Sequence, residues 1–198
     1  MARSQSQIID YFQEYIFGFI FRDIERCVEA KANYVVALAL LSYTEYIGGL
    51  ITGKLGLKKE SAENFNTALE YFEFNGDKNY YKDFKVKYTD ENGKKSEADI
   101  YKMFRCGLVH EYFVKGDSFI HNNPSGLVEP EDAGIGWIGD AGQRRLRFHT
   151  NAYFRDFKNA VMKLYKLLIV DREPNLLKNF NKALDRLENR KIAEVNKR

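Results

Sequence analysis

Two cysteines, three histidines, three prolines and one tryptophan are all that 198 residues contain of those types. Each scarcity removes an option. Cys27 and Cys106 are too few for a disulfide framework of the secreted kind, so the chain reads as one suited to a reducing, cytoplasmic setting. A zinc centre needs four ligands, and Cys27, His121 and His149 show no ligand-like spacing, so neither a metal nor another cofactor is expected. Charge of one sign is not in excess either. Thirty-one Lys and Arg against 28 Asp and Glu leave a formal +3, too little to argue for nucleic-acid binding from totals alone. The most apolar run, Ala32 to Thr44, lies between Lys31 and Glu45, is too short to span a bilayer and suits a buried helix. Residues 1–8 carry an Arg but no apolar stretch followed by a small-residue cleavage site, so no signal peptide is expected. Neither export nor membrane residence is supported.

What is present is amphipathic periodicity. Ile8, Phe12, Tyr15, Ile16, Phe19, Ile20, Ile24 and Val28 recur at three- and four-residue steps and predict a long helix over residues 7–30. A more apolar helix is expected over 33–51, ending at Gly53 and Gly56, and a third over 60–74, with Phe65, Leu69 and Phe72 on one face. Together these form a bundle. Asn75-Gly76-Asp77 breaks the pattern, Lys85 to Tyr88 reads as a short strand or a loop, and Asp90-Glu91-Asn92-Gly93 reads as a turn. Ser96 followed by Asp99 marks the start of a fourth helix, running from Glu97 to about Tyr112. Residues 113–149 hold two prolines and six glycines. Short strands are expected there at Ser118-Phe119-Ile120, Gly134 to Trp137 and Arg145 to Phe148. Thr150 and Pro174 open two final helices. The expectation is a single mainly helical domain over residues 1–198, with 113–149 as a small β-hairpin insertion.

Within the fourth helix, Arg105-Cys106-Gly107-Leu108-Val109-His110 joins a permanent cation and a titratable imidazole in an otherwise apolar segment. Arg holds its charge at any working pH and binds phosphate with two parallel hydrogen bonds, whereas His changes charge near neutrality. Positions 105 and 110 are about 140° apart on an ideal helix. For the two to meet, Arg105 must reach round, or the helix must be distorted near Gly107, or the site must be shared between subunits. Cys106 and His110, four residues apart, do share a face and have the spacing of a nucleophile and base or of two metal ligands, but core cysteine is the better reading. Glu45 interrupts the most apolar helix, where a carboxylate pairs with a buried cation or faces a cavity. His121 and His149 read as surface or capping residues. Basic residues cluster at Arg144, Arg145 and Arg147, and Lys178, Lys182, Arg186 and Arg190 form a four-residue stripe on the last helix, which reads as a solvated face. Tyr80, Tyr81, Tyr88, Tyr101 and Tyr112 bracket the motif, and rings of this kind can stack on bases or simply fill a core.

The Arg-x4-His spacing, late in a helical domain, resembles the signature of the HEPN superfamily, although Cys106 departs from the polar residue usual after the Arg. The resemblance implies a homodimer in which the motif helices of two protomers face each other. It implies metal-independent RNA cleavage, with His110 as general base or acid and Arg105 stabilising charge on the phosphate, leaving a 2′,3′-cyclic phosphate or 3′-phosphate and a 5′-hydroxyl. It further implies an acidic residue on an earlier helix, for which Glu45 is the candidate, RNA contacts for which Arg144, Arg145 and Arg147 are the candidates, and a setting in defence or toxin-antitoxin biology with an antitoxin or regulatory protein as partner. A catalytically inactive HEPN-like module that binds a nucleotide or a protein stays open beside this, as does a helical interaction protein with no nucleic-acid role.

Overall fold

The computed structural model describes residues 2–89, 93–111, 118–122, 128–129, 131–140 and 144–195; the side chains of Tyr88, His110, Glu111 and residues 190–195 lie outside that description. The first helical rod covers residues 5–29 and has three parts: α1 (Gln5–Tyr11), a π-helical stretch (Phe12–Phe21) and α2 (Arg22–Glu29). Ser4 opens it through a capping box, accepting from the Gln7 N–H at 3.2 Å while its own N–H donates to Gln7 Oε1 at 2.8 Å. Ile8, Phe12, Ile16, Ile20 and Ile24 all lie on the buried side.

After a turn at Lys31, α3 (Asn33–Thr52) returns through the middle of the molecule and packs against α2, α4 (Ser61–Leu69), α6 (Thr150–Ile169) and α7 (Pro174–Val195). Although α3 is long and apolar enough to cross a membrane, Val36, Ala37, Leu40, Leu41, Ile47 and Leu50 are buried here against its neighbours. It ends at Gly53, whose φ of +70° suits a residue without Cβ. α4 stops at Leu69, earlier than the sequence pattern suggests, yet Phe72 stays in the core. Its ring packs with Tyr81, Tyr153 and Phe157, so apolar periodicity outlasts the helix.

β1 (Val86–Thr89) and β2 (Lys95–Ala98) pair antiparallel across the expected turn. Residues 90–92 of that turn lie outside the described residues. This pairing corrects the start of the fourth helix, because Ser96 and Glu97 belong to β2. Asp99 takes the capping role instead, accepting from the Lys102 N–H at 2.9 Å. A second π-helical stretch (Tyr101–Cys106) then leads into α5 (Gly107–Glu111).

In the insertion, β4 (Ile135–Ile138) and β5 (Arg145–His149) pair antiparallel, while β3 (Ser118–His121) lies parallel on the other side of β5. The element is therefore a three-stranded mixed sheet of order β3-β5-β4, not a simple hairpin. Its inner face, Ile120, Ile135, Leu146 and Phe148, joins the core. A buried polar knot ties the sheet to α6: the Tyr81 hydroxyl donates to Asp156, accepts from the Gly134 N–H at 2.8 Å, and Arg155 Nε donates to Asp156 Oδ1 at 2.8 Å. Burial holds Asp156 above the usual carboxylate range, against the pull of Arg155 and Tyr81. The last two helices begin where expected, α7 with Pro174 in its first turn and Glu173 Oε2 accepting from the Leu176 N–H at 2.6 Å.

Candidate functional site

Glu45 and Arg105 meet. Glu45 lies near the middle of α3 and Arg105 in the second π-helical stretch, and Arg105 Nη2 is 2.8 Å from Glu45 Oε2. About a fifth of each side chain is exposed, 17 % for Arg105 and 20 % for Glu45, so the pair is shielded without being sealed. The two charges touch, yet among the described residues neither Glu45 Oε2 nor Arg105 Nε completes a well-aligned hydrogen bond. A guanidinium has five N–H donors in a rigid fork, so this one is held in place but not saturated. Its Cζ also lies 5.7 Å from the centre of the Tyr101 ring, one turn back.

The π-helical geometry gathers these groups. With i→i+5 hydrogen bonding, residues five apart become stacked neighbours, as residues four apart are in an α-helix. Tyr101 and Cys106 have that separation. The Tyr101 hydroxyl is pushed above its usual range first by burial, then by Cys106 and Glu45, with Arg105 opposing. Cys106 is free and half-buried. Widening of the helix up to Gly107 is one of the three routes by which positions 105 and 110 could be brought closer. His110 sits on α5, one turn beyond, and its side chain lies outside the described residues.

Glu45 also forms part of the wall of a cleft of about 390 Å³ between α3 and α4, together with Ser42, Tyr46, Lys58, Ser61 and Asn64. The volume falls in the range that takes a nucleotide-sized group. Hydroxyls, an amide, a carboxylate and a lysine line it.

The basic cluster of the insertion divides. Arg147 donates from Nη2 to Asp132 Oδ1 at 2.8 Å, and the pair is largely shielded. Burial pushes Asp132 up, but the hydrogen bond and charge of Arg147, helped by His149, hold it below the usual range. Arg145 lies exposed with its guanidinium carbon 4.7 Å from the Phe119 ring centre, and Arg144 is exposed as well. The strand register puts Phe119, Arg145 and Arg147 on the same outer face of the sheet. Arg144 and Arg145 are available to a partner, whereas Arg147 already has one.

His149 caps α6 from a buried position, its Nδ1 accepting from the Ala152 N–H at 3.2 Å and its Nε2 lying 3.7 Å from Asp132 Oδ2. Burial, then the Arg147 charge, lower its pKa to about 4 against the opposing pull of Asp132, with His121 lowering it further. The ring is neutral at pH 7. The His121 ring stands edge-on to it, 5.1 Å away between centres. Sequence reading did not foresee the Asp132 link, because Asp132 sits in an irregular stretch with no periodicity. On α7, Lys178 and Lys182 are exposed, Arg186 is half-buried, and the Arg190 side chain lies outside the described residues. Asp185 and Glu188 bind Arg3 at 2.9 and 2.7 Å. Among the described residues, no group of three or more His, Cys, Asp or Glu side chains is placed to hold a metal ion.

Comparison with protein-family models, with curated proteins and with solved structures finds no match.

Proposed function

We propose that the chain is a HEPN-like endoribonuclease that cleaves RNA without a metal, with Arg105 and His110 as its reacting pair and Glu45 as the residue that positions Arg105. The observation that carries this reading is the incompletely saturated Arg105 guanidinium, held by a carboxylate that also lines a nucleotide-sized cleft. Glu45 holds the guanidinium through a single contact at Nη2, and the guanidinium would turn its remaining N–H groups to a phosphate oxygen. His110 would draw the proton from a ribose 2′-hydroxyl, and Arg105 would stabilise the charge that builds on the phosphate as the oxygen attacks. Arg144 and Arg145, exposed on the β-insertion, would guide the RNA backbone, with Arg147 serving mainly to anchor Asp132. In this reading the working form is a homodimer, its motif helices facing across the two-fold axis, in the cytoplasm, under the control of an antitoxin or regulatory protein.

A second reading has a specific observation behind it. Glu45 already neutralises Arg105, as in a catalytically inactive module that binds a nucleotide or a protein.

The two separate in an assay of the purified protein with unstructured RNA in EDTA. The nuclease reading expects 5′-hydroxyl products, with cleavage falling at least about tenfold in Arg105→Ala and in His110→Ala while circular dichroism shows both still folded. Nucleotide or RNA binding without cleavage selects the inactive module. Cleavage retained in both variants removes the site assignment.

A further inference from the structure

A second cavity, of about 440 Å³, lies between the first helical rod and α7 and shares Tyr46 with the cleft at Glu45. Its apolar surface comes from three tyrosine rings, Tyr11, Tyr15 and Tyr46, and from Leu184 and Leu187. Tyr11 and Tyr15 lie 5.2 Å apart between centres at a 37° tilt, and the Tyr11 and Tyr46 hydroxyls are hydrogen-bonded to each other, which fixes the rings as a connected wall. Carboxylates surround this wall: Asp10 and Glu14, one turn apart on the rod, and Glu188 on α7.

Among the described residues the charges there are unbalanced. Arg3 is the cation among them that lines the cavity, and its guanidinium is already committed to Asp185 and Glu188 and to the Asn181 carbonyl at 3.1 Å. Asp10 and Glu14 are exposed and have no ion-pair partner among the described residues. On a chain with a net charge of +3, this is a local concentration of negative charge over an aromatic and aliphatic floor. Aromatic faces attract ammonium groups through their quadrupole, and carboxylates add direct charge pairing. Small metal ions would not use the apolar floor, and a neutral apolar compound would leave the carboxylates unanswered.

From this geometry we infer a binding site for a linear alkylammonium compound of the polyamine class. Its methylene spacers lie against Leu184 and Leu187, and its ammonium groups sit between the tyrosine faces and the carboxylates of Asp10 and Glu14, Glu188 being held by Arg3. The site stands on its own observations and does not depend on the nuclease reading.

Isothermal titration of the full chain with spermidine is the test, with Mg²⁺ and tetramethylammonium as comparison probes. Spermidine is expected to bind with a Kd below about 1 mM. The Asp10→Asn, Glu14→Gln double variant should weaken it at least about tenfold, and Tyr15→Leu about threefold, from loss of a cation–ring contact. Both changes are at exposed positions, so the fold is retained, and Glu97→Gln on the exposed β2 serves as a control that leaves binding unchanged. Tetramethylammonium should displace spermidine more effectively than Mg²⁺ at equal charge concentration, because it can use the rings. Overturning results are an absence of spermidine binding up to 10 mM (on the order of the weakest specific sites), equal displacement by Mg²⁺, or full binding in the Tyr15→Leu and acid-to-amide variants.

Discussion

Gly48→Ala is expected to destabilise the protein by about 3 kcal/mol, lowering Tm by roughly 6–12 °C for a chain of this size. A Cβ built on Gly48 falls 1.6 Å from the Asn64 carbonyl oxygen, 2.4 Å from its carbonyl carbon and 3.0 Å from its Cα. All three are backbone atoms, so no side chain can rotate away, and α3 and α4 would have to separate over their whole contact. The apposition matters for the candidate site, because Glu45 lies one turn before Gly48 on α3 and Asn64 stands on the opposite wall of the cleft. Gly76→Ala is the control. Gly76 has a φ of +81° and no atom within 4 Å of an added Cβ, so that change carries only the backbone strain, about 1 kcal/mol. Thermal and urea unfolding of both variants measure the difference. A Gly48→Ala protein as stable as Gly76→Ala would mean that the two helices do not meet at this point, and the cleft would lose its walls.

Three helices were legible from apolar spacing and caps: α3 starts and ends within a residue of where periodicity puts it, and α6 and α7 open at Thr150 and Pro174 as expected. The π-helical stretches were not read, although the sequence carries a signal for the first of them. In α6 the buried positions Tyr153, Phe157, Ala160, Leu164 and Leu168 mix three- and four-residue steps, which keeps an α-helical stripe straight. In the first rod, Ile8, Phe12, Ile16, Ile20 and Ile24 advance strictly by four, whereas the motif segment also buries Met103 beside Ile100, Phe104 and Leu108 and so keeps a three-residue step. On an ideal α-helix each four-residue step drifts by about 40°, so a stripe of fours would wind off the core. Widening the turn offsets the drift, and the π-helical stretch Phe12–Phe21 occurs where the steps are all fours. A strict four-residue repeat therefore marked the distortion in the first rod, whereas the buried steps at the motif carry no such mark.

The sheet of the insertion was less legible. Its three short strands were identifiable, but a parallel β3-β5 pairing across an intervening strand depends on contacts far apart in sequence, which local pattern does not encode. The candidate site shows the same division. Glu45 stood out as a lone carboxylate in an apolar helix, and pairing with a shielded cation, which proves to be Arg105, was one of the two outcomes that chemistry allowed. Arg147, by contrast, looked as free as Arg144 and Arg145, because its partner Asp132 sits in a loop where no periodicity brings it to attention.

His149 makes stability depend on pH in a window that can be named in advance. Its pKa is about 4 in the folded chain, against about 6.5 in the unfolded one. The folded value is the lower, so between these two pH values the unfolded state binds more protons and acidification favours unfolding. Stability from this group is complete above about pH 6.5, declines as pH falls toward 4 and changes no further below that. The groups that face the ring are Arg147 on β5, His121 on β3, Asp132 from the loop before β4, and the Ala152 N–H of α6. Protonation would also turn Nδ1 from acceptor to donor, removing the cap on α6. Asp132, held low, loses its own contribution only below the carboxylate range, so the two effects occupy separate windows. Between pH 7 and pH 5 the wild-type protein should lose about 2 kcal/mol through His149 in urea unfolding. His149→Asn keeps a side-chain oxygen at the cap position but cannot titrate, so the difference between the two pH values should shrink by that amount. Equal losses in the two proteins would show that the imidazole of His149 is solvated rather than enclosed, and that α6 does not depend on it for its first hydrogen bond.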